Sequence, residues 1–244
     1  MSTVLGIWAH PDDEVFVSGG LMADAVHNGD RVVCLHMTRG EAGLHFRRPY
    51  SPEALGVIRE QELEAALACL GVTEQRFLDY PDGDLSLVPG SEVVARIHDV
   101  LVEIRPDTVV TFGPDGFTGH PDHKSLSRWV TTAVRLWNKP RAKVLHAIVP
   151  SEWKNSVVHR LNEFDFFYPG HPATSGDGDI VTRLDEDTIE AKVDALWEHA
   201  GQMQPLFDAY GEEFMRSMAS IEVFRVGPKA AFRSRVENEL RIAR

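Results

Sequence analysis

The chain is short of cysteine, of basic charge and of long apolar runs, and each shortage removes a class of protein. Only two cysteines occur in 244 residues. Cys34 and Cys69 both fall inside apolar patterns and read as buried small hydrophobes, which excludes a disulfide framework. Lys and Arg number 25 against 37 Asp and Glu, a net charge of −12. Phosphate contacts need clustered Lys and Arg, so this balance argues against a nucleic-acid surface and against a strongly anionic substrate. No apolar run approaches the roughly 20 residues of a membrane span, and no basic and apolar leader precedes the first apolar run. The expectation is a cytoplasmic protein. The hydrophobic fraction of 43% and charged fraction of 25% are ordinary for a globular chain.

What is present is an alternation. Residues 4–9 form a short, nearly all-apolar run, as in a strand buried on both faces. Strand-type runs recur at 31–38, 76–80, 108–112 and 144–149, separated by helical patterns at 14–28, 52–70, 91–104 and 122–137. Ser51 and Pro52 read as the N-cap and first position of the second helix, and Gly71 as its stop. Gly19-Gly20, inside the first helix, marks close approach to a neighbouring strand. The alternation predicts a Rossmann-like α/β fold, with a mostly parallel sheet in the order 3-2-1-4-5 and helices on both faces. Beyond Pro150 the pattern weakens. Helices are expected at 152–163, 185–203 and 209–219, a loop at 169–178, a strand at 221–226 and a charged tail from Lys229. Residues 1–150 are thus expected to form the core. Residues 151–244 are a smaller α+β extension packing on it and shaping the substrate pocket, within one integrated domain.

Two clusters carry chemistry. Ala9-His10-Pro11-Asp12-Asp13-Glu14 packs an imidazole and three carboxylates where the first strand gives way to the first helix. Gly119-His120-Pro121-Asp122-His123 holds the same position after the fourth strand. In the order 3-2-1-4-5 the strand order reverses between strands one and four, and ligands bind outside the carboxyl ends of the strands there. Either cluster alone reads as readily as a helix cap. Together, flanking one switch point, they point to a shared divalent cation. Catalytic zinc takes three protein ligands and leaves one position open. His10 and Asp13, three apart across a strand-to-helix turn, converge on one ion, and His123 supplies the third ligand. Asp12, between two ligands, is left to take a proton from water whose pKa zinc lowers towards ~7. His120 is placed to donate to the developing oxyanion, with Asp122 orienting and charging its ring. His36, in a strand, reads as a packed histidine. His199 and Gln202 share a helix face and either buttress the site or bond each other. Residues 45–50 line the entrance or form a solvated loop. Unaided, Arg59 reads as a solvated helix charge and Asp82 as a turn residue.

The first cluster followed by Gly19-Gly20, together with Thr118-Gly119-His120-Pro121-Asp122-His123, resembles the LmbE-like or PIG-L family of zinc-dependent N-deacetylases. Weaker matches are Thr38-Arg39-Gly40-Glu41, Arg59 with Glu62 ahead of Leu70-Gly71-Val72, Pro81-Asp82-Gly83, Ala191-Lys192, His199 and Gln202. The resemblance implies zinc on His10, Asp13 and His123, with iron(II) fitting the same ligands. It implies Asp12 as general base and His120, supported by Asp122, as electrophilic or acid partner. It further implies Arg59 as a clamp for substrate hydroxyls or a carboxylate, with Asp82 and Glu41 in the same substrate-binding region. The implied substrate is a small, sugar-containing N-acyl compound that loses an acetyl or small acyl group. An amidase acting on a larger thiol conjugate or an antibiotic acyl amide also fits, as does a homo-oligomer. Two readings of other classes stand beside it. Two histidines and a carboxylate describe a non-haem Fe(II) oxygenase, for which His10-x-Asp12 and a distant histidine have the spacing. A non-catalytic metal-binding module would have no chemical use for Asp12.

Overall fold

The first apolar run becomes β1 (Thr3–Trp8), buried from Val4 onward. The computed structural model describes residues 1–46, 48–139, 142–173 and 176–227. The charged tail from Lys229 lies outside the described residues. β2 (Arg31–His36) and β4 (Thr108–Phe112) flank β1 and run parallel to it. β3 (Glu74–Phe77) pairs with β2, and β5 (Lys143–Ala147) with β4, again in parallel. The crossovers are α1 (Asp13–His27), α2 (Pro52–Cys69), α3 (Gly90–Ile104) and α4 (Pro121–Trp137). Ser51 caps α2, its side chain accepting the Ala54 N–H at 3.3 Å. The expected order 3-2-1-4-5 is therefore present, with its reversal between β1 and β4. Leu5, Ile7, Trp8, Leu35 and Phe112 are fully inaccessible in the core between the layers.

The C-terminal part departs from expectation in three places. Residues 152–163 are not one helix, but a 3-10 turn (Ser151–Asn155) followed by α5 (Val158–Asn162). A strand is present that periodicity does not announce. β6 (Ile180–Arg183) is a short edge strand whose Ile180 and Val181 face solvent, so it lacks the apolar alternation of a half-buried strand. The stretch 185–203 divides at His199 into α6 (Glu186–Glu198) and α7 (Ala200–Ala219). His199 leaves helical geometry (φ −75°, ψ 47°), and its ring reaches Glu14 of α1. α7 begins at Ala200 and turns again at Gly211 (φ 72°), inside the helix expected at 209–219. β7 (Ile221–Val226) falls where expected and lies between β5 and β6, antiparallel to both. The full order is 3-2-1-4-5-7-6, so the extension continues the core sheet.

Glu222 of β7 ties the extension to α1. That helix breaks at Ser18 (φ −147°), and Glu222 accepts the freed amides of Gly20 and Leu21 at 2.8 and 2.9 Å. Lys192 of α6 pairs with the same carboxylate at 2.6 Å, and both side chains are buried. This explains the glycine pair. A Cβ on Gly19 would lie 3.1 Å from Lys192 Cγ, and one on Gly20 would collide with the Leu184 side chain. The close neighbour is thus α6 and the residue following edge strand β6, not a core strand beside α1.

Candidate active site

Leaving β1, the chain must turn from sheet into α1 within a few residues. Asp12 takes the strain, at φ 106° and ψ −30°, a conformation that costs a non-glycine residue about 1–3 kcal/mol. Its surroundings hold it there. Glu14 Oε2 accepts the Asp12 N–H at 3.0 Å. Asp13 Oδ2 accepts the His10 N–H at 2.8 Å. Arg59, buried on α2, donates to the Pro11 carbonyl and to Asp12 Oδ2, the latter at 2.9 Å. Asp12 makes no side-chain cap bond to α1, and Asp13 points back at the residue before the turn. Neither Asp12 nor Asp13 therefore caps α1 with its side chain, and of the three carboxylates only Glu14 serves the helix start. In the second cluster a cap does exist: His120 Nδ1 accepts the Asp122 N–H at 3.1 Å. That bond leaves the proton of a neutral His120 on Nε2.

The two turns meet at the switch point. His10 Nδ1 lies 3.2 Å from His123 Nε2 and 3.6 Å from Asp13 Oδ2, and His123 Nε2 lies 3.3 Å from Asp13 Oδ1. Bonds of ~2.1 Å in tetrahedral arrangement hold donor atoms about 3.4 Å apart, so this triangle fits a divalent ion. The far nitrogen of each ring is already engaged. His10 Nε2 faces Asp82 Oδ1 at 3.0 Å and Asp122 Oδ2 at 3.4 Å. His123 Nδ1 lies 3.0 Å from the Gly116 carbonyl, which can only accept. Such outer partners fix the ring orientation and tautomer of metal-binding histidines. His10, His120 and His123 also offer donor atoms within 4.8 Å of one another, so a third histidine rims the site.

Burial and neighbouring charge set the protonation states. Burial pushes Asp12 up to about 7, against the pull of Arg59 and with help from Asp13. Burial brings His123 down to about 4, although Asp13 opposes it. His120 is lowered by burial and by the charge of His10. His10 is raised well above the usual value: burial opposes its charge, but Asp122, Asp13 and Asp82 outweigh burial. Asp13 and Asp82 stay below the ordinary carboxylate range; burial opposes this, and the surrounding histidines prevail. His120 is therefore neutral at pH 7, with an Nε2–H to offer.

His10, Asp12, Asp13, Arg59, Asp82, His120 and His123 all line one cleft of 710 Å³. Several roles differ from expectation. The Asp122 main chain, not its carboxylate, orients His120; that carboxylate is spent on His10 and on the Gly83 N–H at 3.0 Å. Arg59 is no solvated charge, since it is buried against Asp12 and also donates to the Gly40 carbonyl at 3.0 Å. Asp82 is more than a turn residue, with one oxygen at His10 and the other accepting the Ala42 N–H at 2.9 Å. Glu41 braces the loop instead of lining the cleft: it accepts the Asp82 N–H at 3.0 Å and the Arg39 N–H at 3.2 Å. His36 is packed, as read, and also bonded. Its Nε2 meets Glu14 Oε2 at 2.9 Å, while His199 Nε2 meets Glu14 Oε1 at 2.8 Å. Of the two readings of His199, buttressing is the one realised, and Gln202 bonds the Leu44 carbonyl instead. Glu14 as the hub was missed, because a helix first turn accounts for an acidic residue without it. Tyr168, edge-on to His120 at a ring separation of 4.9 Å, carries no sequence signal at all.

The molecule is thus a Rossmann-like α/β protein whose switch point brings two histidines and a carboxylate to the spacing of cation ligands, with a strained carboxylate beside them. The family model described as PIG-L, GlcNAc-PI de-N-acetylase, matches residues 5–134, and the chain belongs to that family. It is 32% identical over 255 residues to the 1D-myo-inositol 2-acetamido-2-deoxy-alpha-D-glucopyranoside deacetylase of Kineococcus radiotolerans, covering 84% of this chain and 70% of that one. Among solved structures, N,N'-diacetylchitobiose deacetylase from Pyrococcus horikoshii aligns with a TM-score of 0.72 at 22% identity, covering 98% of this chain and 88% of that one. The 4-carboxy-2-hydroxymuconate hydratase of Pseudomonas putida aligns with a TM-score of 0.64 at 18% identity, covering 94% of this chain and 98% of that one. These two share the fold with this chain. A hydratase among them shows that the fold alone does not choose the reaction.

Proposed function

We propose that this protein is a metal-dependent deacetylase, removing an acetyl or small acyl group from the amide nitrogen of an amino-sugar conjugate. The observation that carries the reading is the donor triangle of His10, Asp13 and His123 with Asp12 alongside. The curated relative, named for such a deacetylation, supports the substrate class. Zinc suits this nitrogen and oxygen donor set, and iron(II) is compatible with it. Held by those three residues, the ion would supply the Lewis acidity that polarises an amide carbonyl and acidifies water.

The chain's own residues do the rest. Asp12 takes the proton of the attacking water; with Arg59 on Oδ2, the other oxygen is its acceptor. His120 donates its Nε2–H to the carbonyl oxygen as charge develops there. As the C–N bond breaks, the proton held by Asp12 passes to the departing amine. Asp82 and Asp122 act behind the reacting atoms by holding His10, and Arg59 acts by holding Asp12.

The test pairs elemental analysis with acetate release from a panel of N-acetylglucosamine derivatives, for wild type and Asp12→Asn. About one metal per chain is expected in both proteins, with turnover lost in the variant by a factor of about 10²–10⁴. Undiminished turnover would remove Asp12 as the base. Absence of metal after reconstitution would remove the site.

A further inference from the structure

The cleft has a second character beyond its polar floor. Phe16 and Val17 stand three and four residues after the ligand Asp13, hence on the same face of α1, one turn away. Both line the cleft. Phe166, from the extension, lies over Phe16 at a ring separation of 4.7 Å, and Phe117 meets Phe16 edge-on at 6.2 Å. Phe117 adopts φ 60°, a left-handed conformation that is unusual and costly for an aromatic residue, and its ring is nonetheless buried in this wall. Met203 and Leu206, three apart on α7, add two more apolar side chains to the same cleft.

None of these six side chains can donate a hydrogen bond to a sugar hydroxyl, and only the Met203 thioether can accept one, weakly. Sugar hydroxyls pressed against them would lose water without replacement, which is unfavourable, and only a sugar's C–H face could be buried there without that loss. An alkyl or aryl group would gain by the same burial. The cleft, at 710 Å³, is also of the size that takes a drug-sized ligand. The polar residues Arg59 and Asp82 come from other elements, α2 and the turn after β3. Polar and apolar parts of one substrate thus have separate walls to meet.

We propose that the substrate carries an apolar alkyl or aryl substituent close to its scissile amide, seated on the Phe16, Phe117 and Phe166 wall. This rests on the deacetylase reading and narrows it. The substituent belongs either to the acyl group or to the group attached to the sugar, and the two sources are separable by experiment.

Three glucosamine derivatives serve: the compact methyl N-acetylglucosaminide, its N-phenylacetyl counterpart, and the phenyl N-acetylglucosaminide. The readout is kcat/KM of each aromatic compound divided by that of the compact one, within one metal-loaded preparation. A partly folded variant scales both rates together and leaves the ratio intact. The ratio is expected to be roughly tenfold or more in one arm, which identifies the source. Phe166→Ala and Leu206→Ala are each expected to lower that ratio by a factor of roughly three or more. Ratios near one in both arms, with the compact compound turned over, overturn the apolar subsite alone. Hydrolysis of none of the three overturns the deacetylase reading and the subsite together.

Discussion

In the proposed reaction Asp12 is the residue on which most depends. Its backbone is strained, its neighbours are charged, and its carboxyl sits near 7 because burial outweighs Arg59. Only the deprotonated form accepts a proton, so activity is expected to fall on the acid side. A cation on the adjoining donors stabilises the anion and moves the midpoint below about 7. A kcat/KM profile between pH 4 and 8 checks this, and an acid limb with a midpoint above 7 would contradict it. Glu14 is the second residue of consequence. It is fully buried, and although burial opposes its charge, His199 and His36 hold its carboxyl well below the ordinary range. A depressed carboxyl stabilises the fold above its unfolded pKa of ~4.3, and that stabilisation is lost as pH falls through the native value. Glu14→Gln is expected to cost about 3–5 kcal/mol in urea unfolding at pH 7, with the gap from wild type narrowing below pH 4.

Elements meet at joints that use their own irregularities. The break in α1 at Ser18 frees amides that Glu222 takes, and Lys192 balances that carboxylate. Lys192→Met leaves the carboxylate buried without its cation and is expected to cost about 3–5 kcal/mol; adding Glu222→Gln should restore part of the loss, measured as a double-mutant cycle in denaturant. A similar economy operates in α7. Pro205 has no N–H, so the Gly201 carbonyl one turn earlier has no helical partner. It accepts the Phe46 N–H at 3.3 Å instead, which ties the cleft-lining loop after β2 to the start of α7. Pro205→Ala supplies a competing donor. The Phe46 amide is then expected to exchange with solvent roughly fivefold faster, as about 1 kcal/mol of hydrogen bonding is contested. Unchanged exchange would show that the loop is held by other contacts.

The whole molecule joins two parts of the chain around the proposed ion site, so metal held there should act on the entire fold. The three donors come from the turns after β1 and β4, and any ion they hold binds the native state alone. Stability then rises with free metal, by about 2.7 kcal/mol at a hundred times the dissociation constant. Thermal unfolding of chelator-treated protein titrated with zinc or iron(II) should show Tm increasing with concentration, and His10→Ala should abolish the increase. Because His10 holds a proton strongly when no ion is bound, the entering cation must displace it, and the Tm gain should shrink as pH falls. No helix among the described residues is long and apolar enough to cross a membrane.

Much of this was legible in sequence, and for local reasons. The parallel core strands are buried on both faces, so they read as apolar runs, and helices with caps and periodic stripes separate them. That alternation implies a parallel, doubly wound sheet, and in the order 3-2-1-4-5 the switch point places both histidine clusters together. Donors three residues apart in a turn, such as His10 and Asp13, meet by chain geometry alone. What lay beyond reach depended on side chains that the sequence keeps far apart. Glu14 gains its meaning from His199, 185 residues away. Arg59 is buried only because Asp12 and the Pro11 carbonyl are there to receive it. β6 is a strand because β7 offers it an edge to pair with, not because its own four residues alternate. The aromatic wall, assembled from α1, the loop after β4 and the extension, has no shared period to betray it. Patterns set by backbone geometry repeat along the chain and can be read there; partnerships between distant charges and rings exist only once the chain has folded.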